Sequence, residues 1–246
     1  KQGLPLCGVL KSSRFAKGGS RPSPTTLILD VIPMPIVHTL PLGDYQTNCY
    51  IVHAKDAASC AIIDPGYEPE TILTFLKQKG LTLDAILLTH GHFDHVGGVK
   101  AILAATGCDL YLHRGDFDQP DDPMSRFCYP LAGAALPGLR FAEDGDSVTA
   151  GGLTFRILST PGHTKGSVCF QCEDVLFSGD TLFAGAIGRT DHPGGDYDQL
   201  MKSIFEKLIC LDGDVAVIPG HGPDSSIADE RMTNPFLLPF NEPYES

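Results

Sequence analysis

Residues 87–98, LLTHGHFDHVGG, hold three of the chain's nine histidines and an aspartate within six positions. Alternate residues of an extended segment point the same way, so His90 and His92 can reach one point. Asp94 and His95 follow as the chain turns toward a helix, and they can address a second point nearby. Imidazole and carboxylate at this density are ligands for a borderline transition metal such as zinc. A helix cap explains one such residue, not the set. Three other segments offer matching groups: TPGHTKGS (160–167) carries His163, FSGDTLF (177–183) carries Asp180, and IPGHG (218–222) carries His221. Each lies at the end of an apolar run and beside glycine, where the backbone can turn tightly and come close to an ion. His38, His53 and His113 lack that setting and read as structural or surface residues. His192 lies close to the site segments and stays open.

Strands must deliver these residues. LDAILLT (83–89) is a continuous apolar run that reads as a buried strand ending at the cluster. PIVHTLPL, TNCYIVHA and ASCAIIDPG, between residues 35 and 66, read as a β-meander. EPETILTFLKQKG (68–80) has helical spacing and a glycine stop, and HVGGVKAILAATG (95–107) reads as a second helix. CDLYLH (108–113) is another strand. The Pro/Gly/Asp-rich stretch 114–140 reads as loops with at most one short helix. LTFRILST, GSVCFQC and DVLFSGD are three more strands. DYDQLMKSIFEKLIC (196–210) is a helix, DVAVIPGHG a strand, and DSSIADERM a short final helix. Strands that recur in both halves suggest two packed sheets with helices on their outer faces, an α+β arrangement.

The remaining composition narrows the chemistry. A net charge of −12, from 18 Lys+Arg against 30 Asp+Glu, leaves no basic footprint for phosphates, so no nucleic-acid partner is expected. The longest apolar stretch, TLILDVIPMPIV (26–37), is broken by Asp30, Pro33 and Pro35, well short of the ~18–20 apolar residues of a membrane span. The eight scattered cysteines suggest reduced thiols and a cytoplasmic setting. Cys169 and Cys172 are formally C-x-x-C, yet a strand pattern surrounds them and no second pair stands at zinc spacing. They read as buried or edge-strand residues. Residues 1–33, basic and rich in Gly, Ser and Pro, read as a mostly irregular extension, with organellar targeting left open. Residues 34–246 read as one domain.

Taken together, THGHFDH with DPG (64–66) upstream and PGHT, SGD and PGH downstream resembles the metallo-β-lactamase superfamily over residues 34–231. The resemblance implies a four-layer αββα sandwich with a dinuclear metal site on one edge. His90, His92 and His163 would hold one divalent ion and Asp94, His95 and His221 the other, with Asp180 as the bridge. Zinc is the expected metal, and iron or manganese fit the same set. GDTLFAGAIGRTDHPGGDYDQLMKSI (179–204) and PGHGPDSSIADERMTNPFL (219–237) are similar to the glyoxalase II group in its short form, without the helical C-terminal domain of the long forms. That group's Lys-x-Tyr contact to glutathione falls here on Arg189-Thr190-Asp191, and its tyrosine just after the last ligand histidine is absent.

The implied activity is hydrolysis of a small-molecule thioester such as S-(2-hydroxyacyl)glutathione. A bridging hydroxide would attack the carbonyl, and Asp94 would orient it. Arg189 is the expected cation for a substrate carboxylate, against a structural ion pair with Asp191 or Asp196. A mononuclear iron persulfide dioxygenase shares the GRTD segment (188–191), but needs no second-metal histidine. A lactonase would use the same ligands. β-Lactamase activity is disfavoured because no secretory signal is recognisable, and a non-catalytic metal module is least expected. A monomer or homodimer is expected.

Overall fold

Three antiparallel strands begin the described chain: β1 (Pro35–Leu42), β2 (Thr47–Ala54) and β3 (Ser59–Ile63). The computed structural model describes residues 34–120 and 122–238, so the expectation for residues 1–33 falls outside the described residues. After β3 the chain enters helix α1 (Pro69–Lys79). Pro69 opens it and Gly80 ends it, with φ of 68° in the left-handed region that glycine tolerates. Ile72 and Leu76 form its buried stripe. Strands β4 (Thr82–Leu87), β5 (Asp109–Leu112) and β6 (Leu139–Phe141) then extend the first sheet in parallel from β3.

Between β4 and β5 lie α2 (Phe93–Val96) and α3 (Val99–Thr106), not the single helix expected over 95–107. The break has a steric cause, since the Pro65–Gly66 backbone crosses there. A Cβ on Gly97 would stand 2.3 Å from the Gly66 carbonyl oxygen, and one on Gly98 2.7 Å from that of Pro65. The amide of Gly98 donates to the Pro65 carbonyl at 2.8 Å, replacing a helical bond. Segment 114–140 also differs from expectation: it holds two short helices, α4 (Arg114–Phe117) and α5 (Pro123–Cys128), besides β6. The His113 ring caps α4, and the Asp122 carboxylate caps α5 with Pro123 at its first position.

The second sheet is built from β7 (Ser147–Ala150), β8 (Leu153–Ser159), β9 (Val168–Cys172) and β10 (Val175–Gly179). A two-stranded hairpin follows, β11 (Leu182–Phe183) with β12 (Ala186–Ile187). The sheet is completed by β13 (Ala216–Pro219), parallel to β10, and a short edge strand β14 (Ser225–Ser226). Helix α6 (Tyr197–Ser203), capped by Asp196, passes into a π-helical turn at Ile204–Leu208, so the helix expected over 196–210 changes register midway. Helix α7 (Ile227–Thr233) follows β14.

Each sheet buries both faces. Tyr50, Val52 and Ile63 of the first sheet meet Phe155, Phe170 and Phe177 of the second in a central core. The outer face of the first sheet packs Ile51, Ile62 and Ile86 against Ile72, Leu76 and Ile102 of its helices. The outer face of the second packs Leu176 and Val217 against Leu200, Ile204 and Ile227. The layers therefore run helix, sheet, sheet, helix, the αββα sandwich. Parallel pairing carries the C-terminal ends of β3, β4, β10 and β13 toward one edge. There Tyr50 Oη donates to the Pro219 carbonyl at 2.6 Å, and the Val168 amide to that of Thr89 at 2.8 Å, locking the sheets together.

Candidate metal centre

The seven residues singled out by motif converge at that edge, from four separate segments. His90 and His92 follow β4, Asp94 and His95 begin α2, His163 lies in the turn between β8 and β9, and Asp180 and His221 end β10 and β13. The ring centroids of His90, His92 and His163 stand 4.7–4.8 Å from one another. His163 Nε2 lies 3.0 Å from His92 Nδ1. A few ångströms away, His221 Nε2 lies 3.3 Å from Asp94 Oδ2 and 3.2 Å from His95 Nε2. Asp180 stands between the two groups: Oδ2 is 3.6 Å from His163 Nε2 and 3.7 Å from His221 Nε2, and Oδ1 is 3.5 Å from His95 Nε2. The approach needs Gly220, where a Cβ would sit 2.3 Å from Asp180 Oδ1.

Outer hydrogen bonds fix which nitrogen of each ring faces inward. A carbonyl or carboxylate can only accept, so His163 Nδ1 donates to the Arg189 carbonyl (2.8 Å), His221 Nδ1 to that of Tyr45 (3.2 Å) and His95 Nδ1 to Asp64 (3.0 Å). Thr89 Oγ1 gives its proton to Asp64 Oδ2 at 2.6 Å and therefore accepts from His90 Nδ1 at 3.1 Å. In their neutral forms these four rings present bare Nε2 lone pairs to the cluster, the orientation that such outer partners impose on metal-binding histidines.

Those lone pairs test whether a cation fits. His90 Nε2 and Asp180 Oδ1 are buried with no hydrogen-bond partner, an unfavourable state for polar atoms unless something else satisfies them. The facing nitrogens of His92 and His163 stand near the ~3.3 Å expected of two ligands on one tetrahedral zinc. Among the described residues, His90/His92/His163 and Asp94/His95/His221 are two groups whose ligand atoms each lie within 4.8 Å of one another. Asp64 also meets His90 and His95 at this range, but its oxygens already take the Thr89 amide, the Thr89 hydroxyl and His95. It is a buttress, and the donor set fits two dications.

The electrostatics divide along the same line. Burial, reinforced by neighbouring imidazoles, pushes the His90 and His163 pKa values well down and that of His92 to about 3, keeping them neutral. Burial also opposes charge on His95, but the nearby Asp180, Asp64 and Asp94 outweigh it and lift its pKa to about 9. Burial would raise Asp94, yet the hydrogen bond with His221 and the charge of His95 hold it well below the usual carboxylate range.

Three residues gained importance only in the structure. Asp64, noted merely as part of DPG, orients His95. His192, left open, joins the site: its Nε2 is 3.2 Å from His163 Nδ1 and its ring packs against His92. Asp116 carried no expectation, although it is buried and accepts hydrogen bonds from the Gly91 amide, the Thr164 hydroxyl and the Gly166 amide, each at 2.8 Å. An aspartate just past a strand end was its only signal. His38 and His53 pair with each other at 3.3 Å, away from the site. Arg189 lines the cleft above the cluster, and its Nε and Nη2 donate to Asp191 at 2.8 and 3.0 Å.

Comparison with known proteins agrees with this geometry. The family model described as Metallo-beta-lactamase superfamily matches residues 42–221. The hydroxyacylglutathione hydrolase GloC of Haemophilus influenzae is 38% identical, over 82% of this chain and 97% of its own. The probable metallo-hydrolase YqgX of Bacillus subtilis has the same identity and coverage. Among solved structures, the B3 metallo-beta-lactamase BLEG-1 superposes with a TM-score of 0.73 at 40% identity, over 82% of this chain and 99% of that one. TTHA1623, solved in a di-iron-bound form, gives 0.70 at 38% over 82% and 100%. ETHE1 from Myxococcus xanthus gives 0.70 at 27% over 85% and 92%. The chain thus belongs to the metallo-beta-lactamase superfamily.

Proposed function

We propose that this protein is a metal-dependent thioester hydrolase whose two divalent ions are held by His90/His92/His163 and by Asp94/His95/His221, with Asp180 shared. The observation that carries the reading is Asp180 itself, within 3.5–3.7 Å of imidazoles from both groups at the floor of an open cleft. Two bound dications contribute a nucleophile at neutral pH and charge stabilisation at a carbonyl oxygen. The chain's own residues do the rest. Asp94 stays ionised and lies 12% exposed at the cleft floor, so its carboxylate can accept a hydrogen bond from an attacking water and orient it. Water adds its oxygen to the acyl carbon, the C–S bond breaks, sulfur leaves with the bonding pair as a thiolate, and a proton released by the water reaches it afterwards. The products are a carboxylic acid and a thiol. A thiolate with a parent pKa of ~8.5 departs with little help from a general acid.

S-(2-hydroxyacyl)glutathione is the first substrate to assay, supported by the resemblance to the glyoxalase II group and the likeness to GloC. Zinc is the proposed metal, and the di-iron form of TTHA1623 makes iron the second to load. The test combines metal analysis with turnover of S-lactoylglutathione, a glutathione-free thioester and a β-lactam, and oxygen uptake with glutathione persulfide. Thioester hydrolysis at two metals per chain supports the reading. Oxygen uptake at one iron, or hydrolysis confined to the β-lactam, overturns it.

A further inference from the structure

The cleft above the cluster encloses about 710 Å³, ample for a ligand much larger than a two- or three-carbon hydroxyacyl group. Its walls are apolar. Tyr45, Phe93 and Cys128 contribute on the side of the first sheet's connections, and Phe183, Ala186 and Ile187 come from the β11–β12 hairpin. Tyr45 meets Phe93 edge-on at 5.5 Å, and Phe93 meets Phe127 at 5.3 Å, so three rings form a continuous ridge. Tyr45 and Phe127 are 60% and 65% exposed, an unusual extent of aromatic surface to leave facing solvent.

This wall is built, not collapsed. The Tyr45 carbonyl is tied to His221 Nδ1. The hairpin is held from behind by buried Glu230, which accepts from the Gly185 amide at 3.0 Å and from Asn234 Nδ2 at 2.6 Å, while the same Asn234 amide group donates to the Ala186 carbonyl. A carboxylate and an amide are thus buried to fix a strip of small and apolar side chains beside the reacting centre.

Charge points the same way. Among the described residues that line the cleft, Arg189 is the one permanent cation, and both prongs of its guanidinium are occupied by Asp191. Releasing it to a substrate carboxylate exchanges one carboxylate for another. The remaining charged lining residues are Asp94 and Asp180, whose charge the two dications of the reading above would offset. A glutathione thioester brings carboxylates at both ends of its tripeptide into these surroundings.

From the apolar walls and the neutralised cation, and resting on the thioesterase reading above, we infer that the cleft is an acyl-binding site for medium-chain hydrocarbon thioesters on an uncharged thiol. A two- or three-carbon hydroxyacyl group leaves most of that wall uncovered. Each methylene buried against the wall raises kcat/KM about fourfold until the cleft is full.

The test uses the full chain loaded with zinc, and butanoyl, hexanoyl, octanoyl and lactoyl thioesters of N-acetylcysteamine beside S-lactoylglutathione. The expected result is a rise of about fourfold per methylene from butanoyl to hexanoyl, with the hexanoyl ester at least tenfold better than either lactoyl substrate. Phe183→Ser and Ile187→Ser should flatten the chain-length slope. A flat or falling slope with measurable lactoyl turnover overturns the acyl site and leaves the thioesterase reading standing. If no thioester is hydrolysed, the thioesterase reading falls, and calorimetry decides the site by itself. Octanoate binding at least tenfold tighter than lactate upholds the apolar site, and equal or undetectable binding of both overturns it.

Discussion

Asp116 and Thr164 meet at 2.8 Å, and through that contact one buried carboxylate joins the loop of His90 and His92 to the loop of His163. Its other bonds, to the Gly91 and Gly166 amides, fall on the same two loops. Both oxygens take a backbone N–H, so an asparagine must turn its own N–H₂ toward one of them. Asp116→Asn should therefore cost about 1–3 kcal/mol of unfolding free energy and weaken metal binding by roughly ten- to a hundredfold. The loss should be selective. Metal titration should show the His90/His92/His163 position failing first while the other stays filled. Equal weakening of both positions would make Asp116 a general structural residue.

Asp180→Ala removes the side chain that stands within 3.5–3.7 Å of imidazoles from both groups. Thioester turnover should fall by ~10²-fold or more, since small misplacements at a reacting centre are costly. Rapid-quench turnover beside metal analysis gives the answer. Wild-type rates with a single ion bound would argue for a mononuclear centre.

Chelation should destabilise the fold, because bare Nε2 atoms and carboxylates are then left crowded at one edge. With zinc at about a hundred times its dissociation constant, restoring it should raise Tm by roughly 5–10 °C. Differential scanning calorimetry with and without chelator measures this. An unchanged Tm would mean that the cluster does not bind zinc.

The C-x-x-C pair should be inert. Cys169 and Cys172 are fully buried on β9, in the middle of the second sheet, and burial lifts their pKa values to about 11 and 12. At pH 8 almost no thiolate is present at either. Iodoacetamide should label exposed Cys210 and half-exposed Cys128 in the native protein, and Cys169 and Cys172 only after unfolding. Early labelling of the pair, read by peptide mass mapping, would revive a redox role.

What the sequence disclosed follows from the range of each interaction. β4 was legible because a continuous apolar run is a local signal, His90-x-His92 because alternate residues of an extended segment share a side, and His163, Asp180 and His221 each carry the same strand-end signature. The break at Gly97–Gly98 was not, because its cause is the Pro65–Gly66 backbone, far upstream in the chain. Side chains at the two glycines would come within 2.3 and 2.7 Å of that backbone, a collision that no local pattern announces. Asp116 was hidden for the same reason: its partners lie 25 and about fifty residues away. Helix α5 did have a local signal, Asp122 capping with Pro123 following, but the surrounding Pro/Gly/Asp composition masked it.

The candidate ligands stand on strand ends bolted into both sheets, whereas the cleft walls hang from the turn at residues 43–46, α5 and the β11–β12 hairpin. The turn holds His221 through the Tyr45 carbonyl, but the hairpin supplies neither a ligand nor a hydrogen bond to one, so it can be exchanged by loop grafting. A lineage with this architecture can change diet while its chemistry stays fixed, and a laboratory can do the same by transplanting a six-residue hairpin, Leu182–Ile187, from one relative into another.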